Sequence, residues 1–81
     1  SSMSLCLNES FKRGEKLKGR MEIEMTIQAN GQVQGVKILS SRFRNSLMAE
    51  CTVRRIKSWR FPRFKGGPVP VSFPYVLSAG F

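Results

Sequence analysis

The clearest pattern in the chain is an alternation of apolar and polar residues that begins after Arg20. Successive side chains of a strand point to opposite faces of a sheet, so the alternation predicts a half-buried β-strand. The apolar positions are Met21, Ile23, Met25, Ile27 and Ala29, and the polar ones are Glu22, Glu24, Thr26 and Gln28. Asn30-Gly31 follows, a dipeptide typical of a two-residue type I′ turn with positive φ at both positions. A second antiparallel strand is predicted from Gln32 to Ser40, with a bulge at Gly35, where the alternation breaks.

A short helix and a third strand are predicted at the two ends of the chain. Leu7 and Phe11 are one helical turn apart, which indicates a first helix that ends near Gly14. Alternation returns from Val69 to Phe81 and predicts the third strand. The prolines inside this strand cannot donate ladder hydrogen bonds, so the strand is expected at an edge of the sheet. These prolines are Pro70 and Pro74.

A longer helix is predicted between the second and third strands, from Ser46 to Trp59. Its apolar arc consists of Met48, Ala49, Thr52, Val53, Ile56 and Trp59. Ser40, Ser41 and Asn45 are the candidate N-caps, because their side-chain oxygens can accept hydrogen bonds from the free amides of the first turn. The helix must end before Pro62, whose ring would clash with the preceding turn.

The order helix, strand, strand, helix, strand predicts an α+β fold, a three-stranded antiparallel sheet packed against two helices. A chain of 81 residues is long enough for one domain and one thin core. We assign residues 5–81 to the domain and residues 1–4 to a remnant or the end of a linker. The sequence contains no run of about 18 apolar residues and no signal-peptide pattern, so neither an anchor nor a signal is expected within it.

The chain is strongly basic, with 14 Lys and Arg, five Glu, no His and a net charge of +9. Such an excess favours polyanions or acidic partners. All eight cations in the second half lie in one stretch with four aromatics. The cations are Arg42, Arg44, Arg54, Arg55, Lys57, Arg60, Arg63 and Lys65, and the aromatics are Phe43, Trp59, Phe61 and Phe64.

This basic stretch has two interpretations. Arginine pairs with phosphate and aromatic rings stack on bases, which would make the protein a cytoplasmic nucleic-acid-binding domain. Alternatively, the cations form a solvated helix face beside core aromatics. We favour the second interpretation, because Trp59, Phe61 and Phe73 suit the core of so small a domain.

Cys6 and Cys51 are the only cysteines. In a small secreted-type domain they would form a disulfide between the two helices, which would stabilise the fold by roughly 3–4 kcal/mol. The alternative is two buried thiols in a cytoplasmic protein. Two thiols without a histidine cannot complete a tetrahedral metal site, so no metal or other cofactor is predicted.

The sequence lacks most of the residue types and motifs that form common catalytic sites. It contains no histidine, no aspartate, no P-loop and no G-x-S-x-G motif. Glu22 and Glu24 share one face of the first strand, and a solvated face explains them. We therefore predict that the protein is not an enzyme.

Several segments, taken together, resemble the TonB C-terminal domain superfamily. They are Gly19-Arg20-Met21-Glu22-Ile23-Glu24-Met25-Thr26-Ile27, Asn30-Gly31-Gln32-Val33, Val36-Lys37-Ile38-Leu39-Ser40-Ser41, Trp59-Arg60-Phe61-Pro62, Gly66-Gly67 and Val71-Ser72-Phe73-Pro74-Tyr75. The resemblance covers residues 5–79. The presence of one cysteine in each helix resembles the AgmX/PglI-like branch of this superfamily. Domains of that branch are found at the ends of gliding-motility proteins.

The resemblance implies a periplasmic domain that is carried on a linker from an inner-membrane anchor. Such a domain holds a segment of an outer-membrane or periplasmic protein by adding it to the free edge of the sheet, in TonB-type energy transduction or gliding motility. A free row of N–H and C=O groups can template such a strand, although prolines can also block it. The expected partner-binding residues are Val69, Val71, Ser72, Phe73, Tyr75, Val76, Arg60, Arg63 and Lys65. Edge strands in so short a fold also allow exchange between two copies, which would give a homodimer.

Overall fold

The computed structural model describes residues 2–77, and its elements follow the predicted order α-β-β-α-β. The predicted strand residues 78–81 lie outside the described residues. The first helix takes in residues 2–4, which the sequence interpretation had assigned to a remnant or the end of a linker. The elements are α1 (Ser2–Lys12), β1 (Gly19–Ile27), β2 (Val33–Ile38), a short 3-10 helix (Ser41–Phe43), α2 (Leu47–Lys57) and β3 (Val69–Leu77).

The three strands form one antiparallel sheet in the order β2-β1-β3. Ile23 lies at its centre, opposite Ile38 of β2 and Phe73 of β3. The prediction that the last strand lies at an edge is confirmed. The strand order also makes β2 the second edge, so the two edges flank β1 on opposite sides.

The turn between β1 and β2 differs from the predicted type I′ turn. Gln28 N donates to Gln32 O at 2.8 Å, and Gly31 N donates to Gln28 O at 2.8 Å, so three residues connect the strands. A three-residue connection needs a left-handed residue only at its end, and Gly31 supplies it with φ 89°, whereas Asn30 does not have positive φ. The type I′ prediction was therefore wrong.

The predicted bulge at Gly35 is confirmed. The register passes from Glu24 opposite Lys37 to Thr26 opposite Gln34, so two residues of β2 face one residue of β1. Gly35 has φ 67°, the left-handed conformation that a bulge of this kind takes at its first position.

The N-cap of α2 is Ser46, and the three predicted caps were wrong. Ser46 Oγ accepts a hydrogen bond from Ala49 N at 3.0 Å. Each predicted cap is committed elsewhere, because Ser40 Oγ accepts from Glu22 N at 2.9 Å and Ser41 begins the 3-10 helix. Asn45 has φ 66°, whereas an N-cap residue has extended φ and ψ.

The core lies between the sheet and α2. The apolar residues of β1 point toward α2, and we call this side of the sheet the inner face. α1 packs mainly against α2. The buried apolar residues are Cys6, Met21, Ile23, Met25, Ile38, Phe43, Met48, Ala49, Cys51, Ile56 and Leu77.

A disulfide joins the two helices through Cys6 of α1 and Cys51 of α2. It is the first of the two alternatives that the sequence left open. Within residues 2–77, neither helix has the length and apolar character needed to cross a membrane.

Candidate partner-binding site

The free edge of β3 is defined by the direction in which backbone groups point. Glu22 O accepts from Leu39 N, and Gln28 N donates to Gln32 O, so the even-numbered residues of β1 bond toward β2. Backbone direction alternates along an antiparallel strand, so the odd-numbered residues of β1 bond toward β3. Their partners there are the odd-numbered residues of β3, which leaves the even-numbered ones pointing away from the sheet.

Four residues therefore present backbone groups at the free edge: Pro70, Ser72, Pro74 and Val76. The two prolines have no N–H, and this orientation is the one that edge strands tolerate. The edge consequently offers two donors, the amides of Ser72 and Val76, and four carbonyl oxygens. This mixed row could accept a strand, but at half the normal number of donors.

The predicted β3 residues divide between the two faces of the sheet. Val69, Val71, Phe73 and Tyr75 lie opposite inner-face residues of β1, whereas Ser72 and Val76 lie on the other side, which we call the outer face. Val76 is 66% exposed, so it offers a large apolar group beside the free edge. The strand thus combines an accessible outer face with a partly packed inner face.

Phe73 belongs to the packed group. Its ring stacks on Trp59 with centroids 6.4 Å apart, and Trp59 meets Phe61 edge-on at 6.3 Å. Phe43 is fully buried. Trp59, Phe61 and Phe73 are half-buried and contact one another, as expected for core aromatics.

The three predicted cations lie at one end of the sheet and not along the free edge. The backbone of Arg60 forms an isolated β-bridge with Gln32, the residue before β2. Phe64 N donates to Ala29 O at 3.0 Å. This loop therefore lies against the β1–β2 turn, at the end where β3 begins. Arg60, Arg63 and Lys65 are exposed there.

Sequence reasoning missed a concave surface, a groove of about 710 Å³ between α2 and β2. Part of its lining was assigned to the core arc, and part to a solvated basic face. The spacing of Ala49, Val53 and Lys57 at four-residue intervals is the signal for one continuous stripe. We call this surface the α2–β2 groove, and its lining residues are Ile38, Arg44, Asn45, Ala49, Glu50, Val53, Arg54, Lys57 and Ser58.

Within residues 2–77, no three His, Cys, Asp or Glu side chains are grouped so that they could hold a metal ion. Glu22 lies on the outer face and pairs with Arg20 Nε at 2.6 Å.

Comparison with known proteins agrees with this geometry. The family model for the Gram-negative bacterial TonB protein C-terminal matches residues 12–81. The solution NMR structure of the Pseudomonas aeruginosa TonB CTD is similar in fold, with a TM-score of 0.55 and 24% identity over 91% of this chain and 76% of that chain. No curated protein sequence matches the chain. TonB C-terminal domains are periplasmic, non-enzymatic domains that bind envelope proteins. Because the family model spans far more than half of the sequence, the chain belongs to the TonB C-terminal family.

Proposed function

We propose that this domain is a periplasmic coupling module that holds a segment of an outer-membrane or periplasmic protein by strand addition to β3. Its parent chain is anchored in the inner membrane in this proposal, and it transmits force in TonB-type energy transduction or gliding motility. Family membership supports the binding role. The disulfide between Cys6 and Cys51 suits the oxidising periplasm.

The free edge of β3 is the observation that carries the proposal. Main-chain hydrogen bonds give affinity in strand addition, and alternate side chains give specificity. An incoming strand would receive hydrogen bonds from the amides of Ser72 and Val76, with a gap at Pro74. Two donors favour a short, matched segment, while the missing donors disfavour unselective pairing with other edges. The prolines can therefore block unselective pairing and still allow a matched segment to bind.

Side chains would add selectivity at both ends of the strand. At the far end, the exposed Val76 offers an apolar contact on the outer face. Arg63 and Lys65 are exposed in the loop that leads to β3 and favour a segment that is acidic at that end, whereas Arg60 lies beside Gln32 on the β2 side. Val71, Phe73 and Tyr75 pack against the core and fix the strand from the inner face, whereas Val69 is 45% exposed and offers a second apolar contact.

Two substitutions of Ser72 test the proposal, because one removes the backbone N–H of this residue and the other keeps it. Ser72→Pro removes a free-edge donor at a position whose N–H bonds to no neighbouring strand, so the fold should persist. Ser72→Ala keeps the donor and is the matched control. A phage-displayed library of random peptides, selected on the oxidised domain, supplies the probe.

Selected peptides should bind the native domain and the Ser72→Ala variant equally, and should bind Ser72→Pro at least about tenfold more weakly. Their binding should shift the amide resonances of β3 more than those of β2. If the peptides bind Ser72→Pro as tightly as the native domain, strand addition to β3 is not how this domain holds a segment.

A further inference from the structure

The α2–β2 groove has an apolar floor with cations around it. Ala49 is 4% exposed and Ile38 is 9% exposed, and Val53 is half-buried beside them. The rim carries Arg44, Arg54 and Lys57 and a single acid, Glu50. The groove lies on the β2 side of the sheet, opposite the free edge of β3.

The rim cations have no carboxylate partners within the part of the chain that is described. Among residues 2–77, Arg20 and Glu22 form the only ion pair. Arg44 instead donates to two carbonyls at and just after the end of β2, Ile38 O at 3.3 Å and Leu39 O at 3.4 Å. Cations near the end of a helix favour its dipole, which accounts for Arg54 and Lys57, but Arg44 precedes α2 and has no such explanation.

The dimensions of the groove indicate the kind of ligand that fits it. From Ala49 to Lys57 the helix rises about 12 Å, at about 1.5 Å per residue. A small anion cannot contact cations at both ends of such a surface. An extended segment of about four residues covers the same length, at about 3.3 Å per residue.

We propose that the α2–β2 groove binds an extended acidic segment of a partner protein. An aliphatic side chain of the segment lies on the floor formed by Ile38, Ala49 and Val53, and its carboxylates pair with the rim cations. In this proposal the segment is held by its side chains; Arg44 Nε, which donates to Ile38 O, already occupies one acceptor at the end of β2. The site is independent of the β3 edge, and one domain can hold two segments at once.

A pair of adjacent arginines provides the matched test. Arg54 lines the groove, whereas Arg55 is exposed on the same helical turn outside the groove lining. Arg54→Glu and Arg55→Glu make the same change in net charge and place the same acid near the C-terminus of α2. The probe is a pool of fluorescent peptides of about six residues in which Asp or Glu alternates with Leu, Ile or Val.

Arg54→Glu should weaken binding of the acidic peptides at least about tenfold, and Arg55→Glu should change it far less. Glu50→Gln should strengthen binding, because it removes the one repulsive carboxylate of the rim. Circular dichroism establishes that each variant is folded. Equal losses in the two arginine variants would mean diffuse attraction to a basic domain, and absence of binding to the native protein would equally overturn the proposal.

The Ser72→Pro variant separates this site from the β3 edge. It should bind the acidic peptides as the native domain does, and Arg54→Glu should keep the affinity for those phage-selected peptides whose binding Ser72→Pro weakens. If Ser72→Pro abolishes binding of the acidic peptides, those peptides occupy β3 and the groove proposal fails.

Discussion

The carboxylate of Glu15 accepts a hydrogen bond from the backbone N–H of Leu47 at 2.7 Å, and its second oxygen accepts from Met48 N at 3.1 Å. Glu15 lies between α1 and β1, so one side chain ties this connection to the first turn of α2. Together with the Ser46 cap, it satisfies three of the four amides that a helix start leaves free. Its negative charge also suits the positive end of the helix dipole.

Glu15→Ala should lower the free energy of unfolding by about 1–3 kcal/mol, because two amides lose a charged acceptor. Urea denaturation measures this loss. Glu9→Ala, which removes an exposed carboxylate from α1, is the control and should stay within about 0.5 kcal/mol of the native value. Similar values for the two variants would show that Glu15 contributes no more than any surface charge.

Gly31→Ala should be much more damaging than the same change at Gly14. Both glycines have positive φ, 89° and 97°, so each substitution incurs a backbone penalty of about 1–2 kcal/mol. At Gly31 a Cβ would also lie 1.9 Å from Phe61 O, whereas at Gly14 nothing lies within 4 Å. The loop that begins at Trp59 must therefore move from the turn. In thermal unfolding, the midpoint temperature of Gly14→Ala should be well above that of Gly31→Ala. Equal midpoints would contradict the close contact between Gly31 and Phe61.

Thr52→Val should hold or increase stability. Thr52 is fully buried in α2, and its hydroxyl has no hydrogen-bond partner among the described residues. A buried hydroxyl without a partner costs about 1–3 kcal/mol, and valine keeps the shape without the polar atom. Thr52→Ala is the control, since it also removes a methyl group and should destabilise through a cavity. A clear loss in Thr52→Val would mean that the hydroxyl has a partner such as a buried water.

The sequence predicted those elements whose signals are local. The alternation from Met21 to Ile27 identified β1, and the broken alternation at Gly35 identified the bulge. The predictions from sequence were wrong where a residue distant in the chain bonds to the polar group in question. Ser40 was a good cap by type, but β1 uses its hydroxyl. The turn at Gly31 is shaped by the loop that bonds to it, since Phe61 N donates to Gly31 O at 2.8 Å.

The candidate site could be predicted only in part, for the same reason. Pro70 and Pro74 predicted that β3 lies at an edge, because a proline lacks the backbone N–H in any structural context. The division of its residues between two faces depends on the register with β1, which no local pattern sets. The α2–β2 groove depends on how α2 lies against β2, so Val53 and Lys57 could not be recognised as neighbours of Ile38.

The disulfide should control α1 more than the rest of the fold. A helix of eleven residues is marginal by itself, and α1 packs mainly against α2, to which Cys6 and Cys51 join it. Reduction should lower the free energy of unfolding by about 3–4 kcal/mol. The amides of α1 should lose protection from hydrogen exchange first, while those of β1 keep theirs. The double variant Cys6→Ala and Cys51→Ala should behave like the reduced protein and show no response to reductant. Alkylation of both cysteines in the native, unreduced protein would show that the bridge does not form.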